Sequence, residues 1–157
     1  MKRSSIGHLP CSIARALDVV GEWWTPVILR QIFHGQRRFE QIHDRTGISR
    51  NILTDRLGTL VAAGILDQRP YQARPARYEY HLTERGQELL PTLVALMQWG
   101  DKWLPDERGP FALAVHHEPE HRVRAVLVCP ECGEVPADEV HFEPGPAAPP
   151  ESVSLEN

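Results

Sequence analysis

The sequence lacks any apolar run near the ~20 residues that a membrane-spanning helix requires, so we expect no membrane association. Residues 1–10 include two basic residues but no apolar stretch behind them, which predicts no signal peptide and a cytoplasmic protein. Cysteine is also scarce. The three present, Cys11, Cys129 and Cys132, are too few for the disulfide framework of a small secreted domain.

Enzyme motifs are absent as well: the sequence contains no P-loop, no GxSxG and no GxGxxG, and we expect no enzyme. Residues 117–121 do match the letters of the HExxH metalloprotease motif. That chemistry needs both histidines on one face of a continuous helix, and Pro119 disfavours a helix there. A zinc-dependent hydrolase using His117 and His121 is therefore kept only as an alternative hypothesis.

Charge is unevenly distributed along the 157 residues. Residues 11–104 contain twelve Lys and Arg against ten Asp and Glu, whereas residues 105–157 contain three Arg against eleven acidic residues. A mildly basic body with an acidic tail is compatible with a polyanionic partner for the body. The pI near 6.0 points weakly the other way, because many nucleic-acid binders are basic throughout.

The first part of the chain carries four helical patterns. Residues 11–20 place apolar side chains at helical spacing. Thr25 followed by Pro26 predicts the N-cap and first residue of a second helix. A short third helix is expected to end at Gly47, and Ser49 is the expected N-cap of a fourth helix over about 49–63.

The pattern then changes to two strands, over residues 65–71 and 77–83, joined by an arginine-flanked loop at 72–76. A last helix is expected over about 84–103, kinked or restarted at Pro91. This order of elements, with a tight Gly turn between the third and fourth helices, is typical of a winged helix-turn-helix. The expected fold is mainly α with a small β-wing.

Composition predicts four segments. These are an N-terminal arm (1–10), a winged helix-turn-helix domain for DNA binding and dimerisation (11–104), a small CxxC-containing extension (105–143), and a disordered acidic, Pro-rich tail (144–157).

The fourth helix is the one expected to enter the major groove of double-stranded DNA. Arg50 and Asn51 are the expected base readers, because Arg pairs with guanine and Asn with adenine. Asp55 has two interpretations: it accepts from cytosine, or it holds a neighbouring Arg. Arginines elsewhere on this surface and on the wing are expected to contact phosphates and so position the protein on the DNA. The full predicted DNA-binding set is Arg37, Arg38, Ser49, Arg50, Asn51, Thr54, Asp55, Arg56, Arg74 and Arg77.

For each of these arginines alone, an ordinary solvated surface charge is an equally good interpretation. Their joint position on the fourth helix and the wing favours DNA. A winged helix that binds protein and never touches DNA is kept as a further alternative.

Several separated motifs resemble those of the HxlR-type transcription regulators. They include Cys11-Ser-Ile, Gly21-Glu-Trp-Trp-Thr-Pro-Val-Ile-Leu, Gly47-Ile-Ser, and Tyr80-His-Leu-Thr-Glu-Arg-Gly, within about residues 8–104. The resemblance implies a homodimer that binds pseudo-palindromic operator DNA, with the recognition segment and the wing making the contacts. It also implies that the terminal helices form the dimer and that a small-molecule effector or a redox event changes the affinity for DNA.

The last helix gives the dimer a physical reason of its own. Its two rows of apolar residues form a stripe too wide for one strand pair to cover, and a second subunit is the common solution. The alternative is that the tail folds back over this stripe.

Two cysteine features remain. Some members of the family sense oxidants through a cysteine near the N-terminus, where Cys11 stands; an inert small residue is the alternative. The Cys129-Pro-Glu-Cys132 motif is half of a structural zinc site. The candidates for its further ligands are His116, His117, His121 and His141, of which His116 and His121 are the proposed pair. A lone CxxC also fits a redox dithiol or a plain tight turn.

Overall fold

The computed structural model describes residues 5–118 and 120–148. The chain divides into two compact units, and the boundary lies between Glu88 and Leu89. The first unit contains, in order, α1 (Ser12–Val20), α2 (Trp24–Phe33), α3 (Phe39–Thr46), α4 (Arg50–Ala62), β1 (Leu66–Gln72), β2 (Arg77–Leu82) and α5 (Glu84–Gln87). The predicted winged helix-turn-helix order is confirmed.

The start of α2 differs from the prediction, and Thr25 as its N-cap is wrong. The helix begins at Trp24, two residues before the predicted first residue Pro26, and the Trp24 amide donates to the Glu22 carboxylate at 2.9 Å. Thr25 is instead 1% exposed within the helix. A carboxylate two residues before the amide does the capping, so the Thr-Pro pair falls inside the first turn.

A buried apolar cluster joins α2, α3 and α4. Its most buried members are the aliphatic side chains Ile28, Leu29, Ile42, Ile48, Leu53, Leu57 and Leu60. Gly47 ends α3 in the left-handed region, at φ 67°, where a glycine has no steric penalty. Ile48 follows in the turn and is 1% exposed, so the connection between α3 and α4 is anchored in the core.

The fourth helix has the predicted faces. Ser49 caps it by accepting from the Ile52 amide at 3.4 Å, and every third or fourth residue from Leu53 onward is buried. The opposite side, including Asn51 and Asp55, is exposed. The cap and the apolar spacing together orient α4 with its N-terminal half open to solvent.

The wing is an antiparallel pair, with Leu66 opposite Leu82 and Pro70 opposite Tyr78. A third extended segment joins it, because the Tyr80 amide donates to the Arg37 carbonyl at 2.8 Å and Arg38 bridges Glu79. The sequence does not predict this third segment. It ties the residues before α3 to the wing.

The second unit contains α6 (Leu90–Trp103), the hairpin β3 (Val115–His116) with β4 (His121–Arg122), the hairpin β5 (Val128–Cys129) with β6 (Gly133–Glu134), and a 3₁₀ turn (Ala137–Glu139). The long last helix predicted from the sequence is broken after Gln87, and Pro91 lies in the first turn of the restarted α6. The restart at Pro91 is thus confirmed.

Within the described residues, no helix is both long and apolar enough to cross a membrane. The predicted N-terminal arm lies outside the described residues over 1–4, and the predicted disordered tail lies outside them over 149–157. The domain boundaries at 104 and 143 stay predictions.

Two helical glycines in the first unit provide a matched test of its packing. A Cβ added at Gly86 would lie 2.3 Å from the Ile65 carbonyl oxygen, whereas a Cβ added at Gly58 would meet nothing within 4 Å. We expect Gly86→Ala to lower the free energy of unfolding by about 1–3 kcal/mol through overpacking. Gly58→Ala should leave it unchanged or raise it by up to about 1 kcal/mol. Urea unfolding followed by circular dichroism measures both, and equal midpoints would contradict this packing.

Candidate nucleic-acid interface

The exposed side of α4 presents a row of polar side chains near its N-terminus. Arg50, Asn51, Thr54 and Asp55 are exposed, and Arg56 is half-buried. Within the part of the chain that the structure describes, the Asn51 side chain has no hydrogen-bond partner, so both its amide donor and its acceptor are available. The Thr54 hydroxyl instead donates to the Arg50 carbonyl at 2.9 Å.

Arg50 is held at the start of α4 by two residues of α3. Its two terminal nitrogens donate to the Glu40 carboxylate at 2.8 and 2.5 Å, and its guanidinium lies 5.5 Å from the centroid of the Phe39 ring. The Arg50 hydrogen bonds lower the pKa of Glu40, and Glu40 in turn raises the pKa of Arg50. The guanidinium therefore has a defined direction, and its charge is partly neutralised.

Glu40 is a residue of this surface that the sequence does not reveal. It lies ten positions before Arg50, and no pattern within either helix relates the two residues. They meet only because the Gly47 turn brings the start of α3 beside the start of α4. Glu40 also forms, with His43 and Asp44, a group whose potential ligand atoms lie within 4.8 Å of one another. Both Glu40 oxygens accept hydrogen bonds from Arg50. The main role of Glu40 in this group is therefore to hold the Arg50 guanidinium.

Asp55 forms an ion pair with Arg56, the next residue along α4. Of the two interpretations of Asp55, the structure shows the contact with a neighbouring arginine. Both groups are accessible to solvent, so this pair contributes little to stability. Its effect is to reduce the positive charge on this part of the helix.

Arg38 is also paired, on the wing side of the surface. Its Nε donates to Glu79 at 2.9 Å, and its guanidinium lies 4.3 Å from the centroid of the Tyr71 ring. The Arg38 hydrogen bond is the main cause that lowers the pKa of Glu79, and a contact with His81 adds to it. The main role of Arg38 is therefore to connect the segment before α3 to the wing.

The remaining three predicted arginines differ, because Arg37, Arg74 and Arg77 are exposed and form no ion pair with the described residues. Arg74 lies in the wing loop, where its carbonyl accepts from the Gln72 side chain at 3.1 Å. The positive charge of Arg77 contributes to the lowered pKa of Glu40. The positive charge of these three side chains is therefore not neutralised by an ion pair within the described residues.

The four residues proposed for zinc are not brought together. His116 lies on β3, His121 on β4, and Cys129 and Cys132 lie at the β5–β6 connection. Among the described residues, no group of three potential metal ligands includes either cysteine. The described residues of the stretch matching HExxH are not helical: His117 and Glu118 lie in a turn, while His121 is in a strand. The hydrolase hypothesis therefore loses the helix that its chemistry needs.

Cys11 is exposed at the N-cap position of α1, and its side chain makes no capping hydrogen bond. Its role in sensing oxidants stays a prediction.

Two helices carry apolar side chains that remain exposed in the single chain. On α1 these are Ile13 and Leu17; on α6 they are Leu96, Trp99 and Trp103, which are more than half exposed. Clusters of large exposed apolar side chains are typical of surfaces that another protein covers.

Comparison with known proteins connects these features. An uncharacterized HTH-type transcriptional regulator of Mycobacterium tuberculosis (strain H37Rv) is 46% identical over 136 residues, which is 86% of each chain. Another, from Synechocystis, is 40% identical over 72% of this chain and 84% of its own.

Solved structures agree. PA1607, a candidate transcription factor, superposes with a TM-score of 0.79 at 29% identity, covering 89% of this chain and 99% of its own. The redox regulator HypR in its reduced form gives a TM-score of 0.55 at 30% identity, covering 59% of this chain and 92% of its own.

A model of the HxlR-like helix-turn-helix family matches residues 19–108, which include α4, the wing and α6. The resemblance drawn from the sequence motifs is confirmed. Transcriptional regulators of this kind are not a class of enzymes. The chain belongs to the HxlR-like helix-turn-helix family, and it is a DNA-binding transcriptional regulator.

Proposed function

We propose that this regulator reads its operator by placing α4 in the major groove while the wing contacts the adjacent backbone. The observation that carries the proposal is the unpartnered Asn51 amide on the exposed face of α4, in the same unit as the unpaired arginines 37, 74 and 77. A free amide can pair bidentately with adenine, and free cations can neutralise phosphates.

The structure supports a division of labour among the ten predicted residues. Arg50 and Asn51 lie at the leading end of α4, where side chains of a recognition helix reach base edges, and Thr54 follows one turn later. Ser49 leaves amide groups of the first turn available to a phosphate. Arg37, Arg74 and Arg77 position the backbone. Arg38 and Arg56 are held by their ion pairs and add contacts to the phosphate backbone with reduced charge, and Asp55 holds Arg56.

We further propose that the protein acts as a homodimer in the cytoplasm, on pseudo-palindromic DNA. The exposed apolar residues of α1 and α6 support a second copy as the partner, since isologous contacts are the commonest way to cover such a surface. Two recognition helices would then meet major grooves about 34 Å apart, one helical turn of DNA. A small-molecule or redox effector that changes this spacing would change the affinity.

The roles of base reader and backbone contact give opposite mutational signatures. On duplexes selected from random sequence, Asn51→Ala should reduce discrimination at the contacted base by about 1–3 kcal/mol while retaining non-specific binding. Arg74→Ala should weaken all sequences alike and reduce the slope of log K against log salt by about 0.9 for each phosphate that the protein no longer neutralises.

The matched control is Arg108→Ala, which removes an arginine that is paired with Asp106 in the other unit. It should change neither quantity. Fluorescence anisotropy at several salt concentrations measures all three variants. If the binding of the wild-type protein to DNA showed no salt dependence, the result would instead support the alternative of a winged helix that binds protein and not DNA.

Glu40 gives a second prediction, with the opposite sign. Glu40→Gln removes the charge that neutralises Arg50, so affinity for operator and non-operator DNA should rise several-fold, with a steeper dependence on salt. Discrimination between the two should fall, because the guanidinium is no longer held in one direction. Glu84→Gln, an exposed carboxylate at the start of α5, is the control of equal charge change. An unchanged or reduced affinity in Glu40→Gln would contradict this role.

The dimer is tested on the full chain by light scattering during size exclusion. The wild type should elute with twice the mass of one chain. Trp99→Glu places a charge among the exposed apolar residues of α6 and should shift the mass toward that of one chain. Gln98→Glu adds the same charge on a different side of the same helix, where its side-chain oxygen can still accept from the Ala125 amide, and should remain dimeric. A monomeric wild type at micromolar concentration would exclude the homodimer.

A further inference from the structure

The β5–β6 hairpin holds two cysteines that the DNA-binding surface does not use and that lie beyond the family match, which ends at residue 108. Cys129 pairs with Gly133 across the hairpin, so only residues 130–132 form the connection. Gly133 has a left-handed φ of 85°, which suits a short turn followed by one residue in that conformation. The Val135 amide extends the ladder by donating to the Leu127 carbonyl at 3.0 Å.

This turn places the two sulfurs side by side. The Cys132 thiol donates a hydrogen bond to the Cys129 sulfur, which also accepts from the backbone amides of Glu131 and Cys132. A tight turn brings the Cα atoms of its first and fourth residues within about 7 Å, which overlaps the range that a disulfide bridges. Solvent reaches both residues, since Cys129 is half-buried and Cys132 is exposed.

The hydrogen bonds make the two thiols unequal. The backbone amides and the Cys132 thiol lower the pKa of Cys129, and the same thiol contact raises the pKa of Cys132. The proton thus stays on Cys132, while Cys129 more readily carries the negative charge. A thiolate is the reactive nucleophile in thiol chemistry.

A mononuclear zinc site would require two further ligands. The described residues supply none beside this pair, because no group of three potential ligands contains a cysteine. Disulfide chemistry needs only the two sulfurs. Of the interpretations of this motif, the geometry therefore favours the redox dithiol.

We propose that Cys129 and Cys132 form a reversible intrachain disulfide that is oxidised by a hydroperoxide. The Cys129 thiolate attacks the terminal peroxide oxygen and breaks the O–O bond, which gives a sulfenic acid and releases the alcohol after protonation. Cys132, on losing its proton, attacks the Cys129 sulfur and displaces hydroxide, which leaves as water. In total two thiols and one hydroperoxide become one disulfide, one alcohol and one water. A dithiol reductant reverses the change by thiol–disulfide exchange.

The test uses the full chain, tert-butyl hydroperoxide and mass spectrometry. Trypsin cleavage after Arg124 yields a peptide that starts at Ala125 and contains both of these cysteines but not Cys11. After oxidation and alkylation of free thiols, this peptide should be two hydrogens lighter than its unalkylated reduced form and should carry no alkyl group. Dithiothreitol should restore both alkylation sites. Cys11→Ser should give the same result.

Two variants assign the order of the steps. Cys132→Ser should accumulate a sulfenic acid on Cys129 that a 1,3-dione reagent traps. Cys129→Ser should react with the hydroperoxide about tenfold more slowly than Cys132→Ser, because only one backbone amide stabilises the Cys132 thiolate, against two at Cys129. Far-UV circular dichroism checks that both variants keep the wild-type secondary structure. Equal rates in the two variants would overturn the assignment of Cys129 as the attacking thiolate.

Metal analysis provides the competing outcome. Protein prepared without chelator that holds close to one zinc per chain, or one per two chains, with thiols protected from alkylation, would overturn the proposal in favour of a metal site. Peptides cross-linked between chains, or a peptide that stays reduced after hydroperoxide treatment, would overturn it as well. Less than a tenth of an equivalent of zinc together with the lighter peptide would establish the dithiol.

Discussion

The short turn from Thr46 to Ile48 sets the geometry on which the DNA-binding surface depends. Gly47 allows the left-handed step, and the buried Ile48 fixes the turn to the core, so α3 and α4 have one relative orientation. That orientation exposes the N-terminal face of α4 and brings Glu40 beside Arg50. A turn without the buried side chain would leave both the direction of α4 and the Arg50 pair undefined.

The arginines of this surface fall into two groups, and carboxylates make the difference. Those at 38, 50 and 56 are paired with Glu79, Glu40 and Asp55, whereas those at 37, 74 and 77 form no ion pair with the described residues. Paired guanidinium groups have a fixed direction and a reduced charge, which favours selectivity over raw attraction. The unpaired ones supply long-range attraction to phosphate. An overall acidic protein thus retains a surface suited to DNA.

Local signals were sufficient for much of this architecture. The Ser49 cap, the Gly47 stop and the two-residue alternation of β2 predicted helix, turn and strand, because each depends on neighbours within a few positions. The prediction of Thr25 as the N-cap of α2 was wrong because Thr25 is buried and the Glu22 carboxylate accepts from the first amide of the helix instead. The Arg50 and Arg38 pairs could not be predicted, since their partners lie ten and forty-one positions away. The CxxC spacing contains no information about where distant histidines lie, so it could not predict whether His116 and His121 come near the two cysteines.

The link between the segment before α3 and the wing has a further consequence. The Tyr80–Arg37 hydrogen bond and the Arg38–Glu79 pair attach β2 to the residues that lead directly into the helix-turn-helix. The two regions that we propose as DNA contacts, α4 and the wing, are thereby joined through main-chain and side-chain bonds rather than through a flexible loop alone. The distance between α4 and the wing is therefore largely fixed before DNA binds, so less conformational freedom is lost on association. A DNA site with the wrong spacing would be rejected by geometry as well as by sequence.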